Sequence, residues 1–284
     1  MSTPAPFSSD VLTIETDGPV ATLWLARPEA RNAMGPDLWR DLPVAMARLG
    51  RDDAVRVVVI AAQGPHFSVG LDLKTMAPII DGEPPARAGG TQPSAAARAR
   101  RTRANVLHLQ AAISAVADCP KPVIAAVHGY CIGGGVDLIA ACDIRVAAAD
   151  AVFSVRETRI AIVADLGSLQ RLPRIIGAGH VAELAYTGRD VDAARAAQIG
   201  LVNHVADDAQ GAWALARELA REIAANSPLA VQGTKAVLAA SADRTVAQGL
   251  DYVATYNASM LGSNDLTEAM TAFFERRPPE FTGD

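Results

Sequence analysis

Apolar and polar residues follow two alternating patterns along this chain. Short runs rich in β-branched residues are followed by longer segments with apolar residues every three to four positions, as in strands that alternate with helices. Predicted strands cover residues 11–16, 20–25, 55–61, 121–127, 144–148 and 152–155, and predicted helices cover residues 36–49, 99–117 and 133–142. From residue 166 onward the pattern is helical almost throughout. This order predicts an α/β core followed by a helical C-terminal region.

The same pattern divides the chain into three parts. Residues 1–10 are predicted to be a loose N-terminal leader, residues 11–204 an α/β core that holds the active site, and residues 205–284 a helical C-terminal region. Within the core, residues 77–97 contain four prolines and three glycines, a composition that predicts a flexible loop.

Composition narrows the class of protein. The chain has 284 residues, half of them hydrophobic, and a net charge of −5, which argues against general nucleic-acid binding. The three cysteines, Cys119, Cys131 and Cys142, form no C-x-x-C pair, which favours the reduced cytoplasm over secretion. Neither a signal peptide nor an apolar run of 18 residues is visible, so we expect no membrane span.

Several kinds of site lack support in the sequence. No two of the five histidines have the spacing of metal ligands, so we predict no metal. Neither the P-loop motif nor the G-x-S-x-G hydrolase motif is present. A basic cluster at Arg98, Arg100, Arg101 and Arg103 is typical of a solvated helix face; a contact to ligand phosphates comes next, and RNA binding last.

Two glycine-containing segments suggest a backbone anion site. Gly133, Gly134 and Gly135 follow a predicted strand and open a helix, where free N–H groups attract negative charge. Residues 67–73 form a second such segment after a strand. Each could be an ordinary tight turn, but two converging N–H groups would make an oxyanion hole.

Three acidic residues follow the glycines. Glu157 lies 20 residues after Asp137, and Asp165 lies 8 residues after Glu157, beyond a wholly apolar stretch. Singly they suggest a carboxylate near a helix N-terminus, a surface ion pair and a helix cap. Beside a backbone anion site, the three together predict acid/base chemistry.

Longer segments carry a resemblance to a known family. Residues 27–34, 67–74 and 121–135 resemble the crotonase superfamily of enoyl-CoA hydratases and isomerases, and the similarity runs from about residue 11 to residue 277. Within it, residues 131–145, 164–173, 227–235 and 250–261 are most similar to the dienoyl-CoA isomerase subfamily. A typical hydratase has glutamates at the positions of Asp137 and Glu157 and glycine at that of Asp165, so this chain departs from the hydratase pattern twice.

The resemblance implies a fold and a set of site residues. The fold is a crotonase-like spiral of ββα units with a helical C-terminal trimerisation region, assembled as a trimer or hexamer. The N–H groups of Leu71 and Gly134 form the oxyanion hole, and Asp137, Glu157 and Asp165 are the catalytic carboxylates. The implied substrate- and CoA-binding residues are Arg31, Val69, Gly70, Leu71, Asp72, Leu73, Gly134 and Gly135.

The implied activity is isomerisation of a 3,5-dienoyl-CoA to the 2,4-dienoyl-CoA in fatty-acid β-oxidation. Coenzyme A is then part of the substrate, and no separate cofactor is required. The alternatives are a 2-enoyl-CoA hydratase that uses Glu157 and Asp137 to handle water, and a non-catalytic RNA-binding or scaffold protein that uses the cluster from Arg98 to Arg103. Roles within the pair Glu157 and Asp165 stay open at this point.

Overall fold

The β-branched runs of the sequence form strands, and the segments with helical spacing form helices. The computed structural model describes residues 7–80 and 93–284. Its strands are β1 (Leu12–Asp17), β2 (Val20–Leu25), β3 (Val57–Ala62), β4 (Val123–Val127), β5 (Tyr130–Ile132), β6 (Ile144–Ala148), β7 (Val152–Ser154), β8 (Val191–Asp192) and β9 (His204–Ala206). Its helices are α1 (Pro36–Arg51), α2 (Leu73–Ile80), α3 (Ala95–Ala117), α4 (Gly134–Ala140), α5 (Ser168–Ile175), α6 (Ala178–Thr187), α7 (Ala193–Gln198), α8 (Ala209–Ala224), α9 (Pro228–Ser241), α10 (Val246–Met260) and α11 (Asn264–Glu275).

The strands form a large sheet and a small one. The large sheet has the order β1-β2-β3-β4-β6-β9; β1 and β2 pair antiparallel, and the other neighbours pair parallel. The small sheet has the order β5-β7-β8. Both β4 and β6 lie in the large sheet, and the strand that follows each of them, β5 or β7, lies in the small sheet. This arrangement carries the chain from β4 through β5 to the start of α4.

The large sheet is covered on both faces, which explains why β3 is apolar at every position. Val58 and Ile60 join the main core together with residues of α1 and α3. Val57, Val59 and Ala61 face the other way and pack with α8. Helix α8 meets them with a stripe of alanines at four-residue spacing, Ala212, Ala216, Ala220 and Ala224, each at most 4 % exposed. Small side chains at this spacing bring the helix axis close to the sheet.

The structure shifts three of the predicted boundaries. Strand β9 pairs with β6, and α8 covers the sheet, so the α/β core extends past residue 204 and includes the first helix of the predicted C-terminal region. Short strands at 191–192 and 204–206 interrupt the stretch predicted to be helical. They were not predicted, because two or three residues are too few to produce an alternating pattern. Phe7 packs against the core, and the Ser9 hydroxyl accepts the N–H groups of Val11 and Leu12, so this part of the predicted leader is held in place; residues 1–6 lie outside the described residues.

Helices α2 and α3 extend into both ends of the loop predicted at residues 77–97, so the loop is shorter than predicted. Residues 77–80 continue α2, and α3 already begins at residue 95, where the side chain of Ser94 accepts the Ala97 N–H as a helix cap. Residues 81–92 of the predicted loop lie outside the described part of the chain. Within the described residues, no helix has the length and apolar character needed to cross a membrane.

Candidate active site

The two glycine segments of the sequence lie side by side, residues 67–73 after β3 and residues 133–135 directly after β5. Ser68 N–H donates to the Tyr130 carbonyl at 2.9 Å, and Ile132 N–H donates to the Ser68 carbonyl at 3.0 Å. Gly70 has a φ of +84°, and a Cβ there would stand 2.7 Å from the Ile132 carbonyl oxygen. Only glycine allows both this backbone conformation and this close approach.

Among the described residues, the Leu71 N–H of one segment and the Gly134 N–H of the other form no hydrogen bond to a backbone carbonyl. Met34 N–H donates to the Gly70 carbonyl, and Asp72 N–H donates to the Met34 carbonyl, at 2.8 and 3.0 Å. Since backbone groups alternate sides along an extended segment, the intervening Leu71 N–H faces away from Met34. Gly134 begins α4, and the first N–H groups of a helix have no intrahelical acceptor. These two donors border one cavity and can together hold an oxyanion.

A buried amide fixes the loop before α1 to the residues that lead into the 67–73 segment. The side-chain nitrogen of Asn32 donates to the carbonyls of Gln63 and His66, at 2.9 and 2.8 Å. The Arg31 carbonyl accepts Val69 N–H at 3.2 Å, so the backbone of Arg31 lies against the segment that carries the Leu71 donor.

A cavity of about 510 Å³ opens beside these donors. Most of its lining is apolar, and the apolar side chains are Val69, Leu71, Leu73, Val106, Leu109, Ile132, Ile160, Ile162 and Leu166. All three predicted carboxylates, Asp137, Glu157 and Asp165, line the same cavity. An apolar pocket with few convergent polar groups is the usual form of a small-molecule site.

Asp137 is the most deeply buried of the three carboxylates. It lies on the first turns of α4 and is 1 % exposed, and its Oδ1 accepts Ser168 N–H at 2.6 Å. Burial and, to a smaller extent, the nearby charge of Glu157 raise its pKa to about 7, against the opposing effect of the bond from Ser168. Asp137 therefore titrates near neutral pH.

Glu157 begins a short 3-10 helix, Glu157–Ile160, that follows β7. Its Oε2 is buried and has no hydrogen-bond partner among the described residues. A Cβ on Gly133 would stand 3.2 Å from Glu157 Oε1, so the carboxylate lies beside the turn that presents the Gly134 N–H. Burial is the main cause that raises its pKa, with a contribution from Asp165.

Asp165 lies in the irregular segment that leads into α5. Burial raises its pKa, while its own backbone N–H acts in the opposite direction. Its carbonyl oxygen accepts a hydrogen bond from the Gln110 side chain of α3 at 2.6 Å. Glu157 and Asp165 thus reach the same cavity from two different segments, each with a pKa above its ordinary value.

Two of the predicted binding residues have other roles. The predicted residues that line the cavity are Arg31, Val69, Gly70, Leu71, Leu73 and Gly134. Asp72 is absent from this lining and instead forms an ion pair with Arg27 at 2.9 Å. Gly135 is also outside the lining; a Cβ there would stand 3.3 Å from the Ser68 side chain, so it allows α4 to pack against the 67–73 segment.

One wall of the cavity was not predicted as part of the site. Thr102, Asn105, Val106 and Leu109 line it from α3. Their spacing of three, four and seven residues places them on one helix face, a signal that was present in the sequence. Which face meets the cavity depends on how α3 packs in the folded chain, so periodicity alone did not identify them.

Comparison with known proteins gives this geometry a family. The sequence profile of the enoyl-CoA hydratase/isomerase family matches residues 15–284, nearly the whole chain. The chain belongs to the enoyl-CoA hydratase/isomerase family. The predicted resemblance to the crotonase superfamily is thereby confirmed.

This member of the enoyl-CoA hydratase/isomerase family is similar in sequence to its relatives over most of its length. It is 43 % identical over 272 residues to the peroxisomal Delta(3,5)-Delta(2,4)-dienoyl-CoA isomerase of Arabidopsis thaliana, covering 96 % of both proteins. It is 43 % identical over 257 residues to the mitochondrial enzyme of the same name from Homo sapiens, covering 89 % of this chain and 75 % of the relative. The predicted location in the cytoplasm stays a prediction beside these peroxisomal and mitochondrial relatives.

Solved structures of the family confirm the predicted crotonase-like α/β fold. Enoyl-CoA hydratase from Bacillus anthracis superposes with a TM-score of 0.86 at 30 % identity, over 97 % of this chain and 100 % of that one. A putative enoyl-CoA hydratase from Streptomyces coelicolor A3(2) gives 0.87 at 33 % identity, over 100 % and 98 % of the two chains. Across residues 7–80 and 93–284 no cluster of metal-ligating side chains is found; the expected absence of a metal stays a prediction.

Proposed function

We propose that this protein is a Δ(3,5)-Δ(2,4)-dienoyl-CoA isomerase that acts in fatty-acid β-oxidation. The observation that carries the proposal is that Asp165 and Glu157 line one apolar cavity beside the Leu71 and Gly134 N–H groups. The isomerisation moves a proton from C2 to C6, and two carboxylates next to an oxyanion site match these two transfers. The identity of 43 % with relatives that carry this name supports the same conclusion.

In the proposed reaction the thioester oxygen accepts hydrogen bonds from the N–H groups of Leu71 and Gly134. A carboxylate takes the C2 proton, and the electron pair of the broken C–H bond spreads along the diene and onto the thioester oxygen. Preorganised N–H donors stabilise such a developing negative charge, and removal of one donor typically costs about 3–4 kcal/mol of barrier. A second carboxylic acid then delivers a proton to C6, and both double bonds shift by one carbon toward the thioester.

We assign Asp165 as the base at C2 and Glu157 as the acid at C6. Burial raises the pKa of both groups, and the charge of Asp165 adds to this effect at Glu157, which is why we assign the proton to Glu157. Because the proton transfer is internal to the substrate, no redox cofactor takes part in the proposal. Asp137 lines the same cavity, and the charges of Glu157 and Asp165 both contribute to its raised pKa.

Replacement of each carboxylate tests the assignment. Asp165→Asn and Glu157→Gln should each lower kcat for 3,5-dienoyl-CoA isomerisation by about 100-fold, the cost of a lost general acid or base. The growth of ultraviolet absorbance from the 2,4-dienoyl product measures the rate, and circular dichroism verifies folding. Wild-type rates in both folded variants would contradict the proposal.

Solvent deuterium separates the two roles. If Asp165 is the C2 base, Asp165→Asn should also lose exchange of the C2 proton of the substrate in deuterated water. Glu157→Gln should retain this exchange while it loses formation of product, because only protonation at C6 is blocked. The reverse pattern would exchange the assigned roles of the two residues.

The second candidate is a 2-enoyl-CoA hydratase. The two similar solved structures described above carry the name enoyl-CoA hydratase, one of them as a putative enzyme. Glu157 and Asp137 line the cavity in which a hydratase would have to activate a water molecule. Parallel assays with 2-enoyl-CoA and 3,5-dienoyl-CoA distinguish the reactions. Loss of 2-enoyl absorbance with no gain in dienoyl absorbance would favour the hydratase.

We further propose that the chain assembles as a homotrimer or as a hexamer of two trimers. Helix α11 exposes Phe273 and Phe274, which are 75 % and 74 % accessible, and α10 exposes Val246 at 81 %. Large apolar side chains with such exposure mark a surface that is covered in an assembly. Light scattering after gel filtration distinguishes monomer, trimer and hexamer.

A further inference from the structure

The carboxylate of Asp165 depends on its backbone for its position. Among the described residues, no side chain forms a recorded hydrogen bond to this carboxylate, and the bond it accepts comes from its own N–H. The segment from Ile162 to Gly167 belongs to neither a helix nor a strand. Regular secondary structure therefore does not fix the backbone that aims the carboxylate into the cavity.

Side chains of α3, α4 and α5 hold this segment; from α5, Arg171 donates to the Leu166 carbonyl at 3.4 Å. At its downstream end, Ser168 N–H donates to the Asp137 carboxylate of α4 at 2.6 Å. At Asp165 itself, Gln110 Nε2 of α3 donates to the main-chain carbonyl at 2.6 Å. Among the described residues, the Gln110 bond is thus the side-chain hydrogen bond that reaches Asp165 itself from outside the segment.

Gln110 projects from a firmly packed part of α3. Leu109 and Ile113, its neighbours along the helix, are 8 % and 0 % exposed and belong to the main core. The same turns of α3 supply Val106 and Leu109 to the cavity wall. A donor on a packed helix holds its acceptor with little freedom, and a catalytic group displaced by about 1 Å can lose about 100-fold in rate.

We infer that Gln110 is a positioning residue that holds Asp165 in the orientation needed for proton transfer, an inference that rests on the proposed isomerase function. Gln110 acts through the Asp165 carbonyl, so it is not itself placed against the reacting atoms. Loss of its donor should lower the rate of proton removal without a comparable loss of substrate binding. The effect should be confined to the step that Asp165 performs.

Three substitutions separate the effect of the hydrogen-bond donor of Gln110 from the effect of its side-chain size. Gln110→Met keeps the length of the side chain and loses the donor, and we expect kcat to fall by roughly 10- to 100-fold while KM changes by less than about twofold. Gln110→Lys restores a donor and should recover part of that loss. Gln170→Met is the matched control, because Gln170 is exposed on α5 and lies outside the cavity lining.

Gln110→Glu adds a pH readout that a merely structural role would not move. Among the described residues, the charged side chains that line the cavity together with Asp165 are Asp137, Glu157, Arg31 and Arg156, while Arg171 of α5 donates to the next carbonyl, that of Leu166. A further negative charge on α3 would oppose ionisation of Asp165 and raise its pKa. The ascending limb of kcat against pH should therefore move to higher pH in Gln110→Glu and to lower pH in Gln110→Lys.

The outcomes separate this inference from the proposed function. Failure of the wild-type protein to isomerise a 3,5-dienoyl-CoA would overturn the function and, with it, the inference. Normal wild-type activity with an unchanged kcat in folded Gln110→Met, or with the same loss in Gln170→Met, would overturn the inference alone. A lower melting temperature in Gln110→Met with normal kcat would show a purely structural contact and would also overturn it.

Discussion

Burial of Asp137 makes the stability of this protein depend on pH, and Asp137→Asn should remove that dependence. The carboxylate is 1 % exposed, and burial, with a smaller contribution from the charge of Glu157, raises its pKa from 3.8 to about 7. Asparagine has nearly the same shape, and its side-chain oxygen can still accept the Ser168 N–H. The substitution therefore removes the ionisable group while it retains the contact that this group makes.

The pKa values determine the sign and the size of the effect. Because the folded pKa lies above the unfolded one, the contribution of Asp137 to stability is fully present below pH 3.8 and is lost as the pH rises to about 7. At about 1.4 kcal/mol for each pH unit, the loss between pH 5 and pH 7 approaches 3 kcal/mol. One kcal/mol corresponds to roughly 2–4 °C in melting temperature. The melting temperature of Asp137→Asn, relative to that of wild type, should therefore rise by between about 5 and 10 °C from pH 5 to pH 8.

Melting temperatures measured from pH 5 to pH 8 by scanning calorimetry test this prediction. Asp208→Asn is the matched control: Asp208 is exposed, and its side chain accepts Gly211 N–H at 2.7 Å as the cap of α8. Its difference from wild type should change little with pH. If the difference between Asp137→Asn and wild type were equally flat, burial would not be the cause that perturbs Asp137, and the reasoning would be refuted.

Two further substitutions test the backbone of the site. Gly70→Ala should lower kcat by at least about 100-fold, because the new Cβ would meet the Ile132 carbonyl at 2.7 Å and displace the Leu71 donor; an active, folded variant would argue against the oxyanion hole. Asn32→Ala should cost about 3–5 kcal/mol in urea unfolding, since three side-chain hydrogen bonds are lost and alanine is strained at a φ of 52°. Asn32→Gly should be more stable than Asn32→Ala by only the backbone strain of alanine, about 1 kcal/mol. Equal stabilities of the two variants would show that strain contributes nothing.

The fold was predictable where hydrophobic periodicity was long. Strands β2 and β6 and helix α1 appear within two residues of their predicted bounds, because each has enough positions for a period to be recognised. Strands β5, β8 and β9 have two or three residues each and were missed. Their extended conformation is set by pairing with distant strands, which local sequence does not record.

The sequence by itself determined the chemistry available to this protein: two glycine segments with free N–H groups, three carboxylates and the family that they identify. The tertiary structure decided how these groups meet. It placed Leu71 and Gly134 against one cavity, left Asp72 and Gly135 out of its lining, and brought Gln110 of α3 to the carbonyl of Asp165. Residue type sets what a group can donate or accept, whereas its pKa and its aim depend on burial and on partners distant in the chain. For this reason Asp137, Glu157 and Asp165 could be named from the sequence, but their raised pKa values could not.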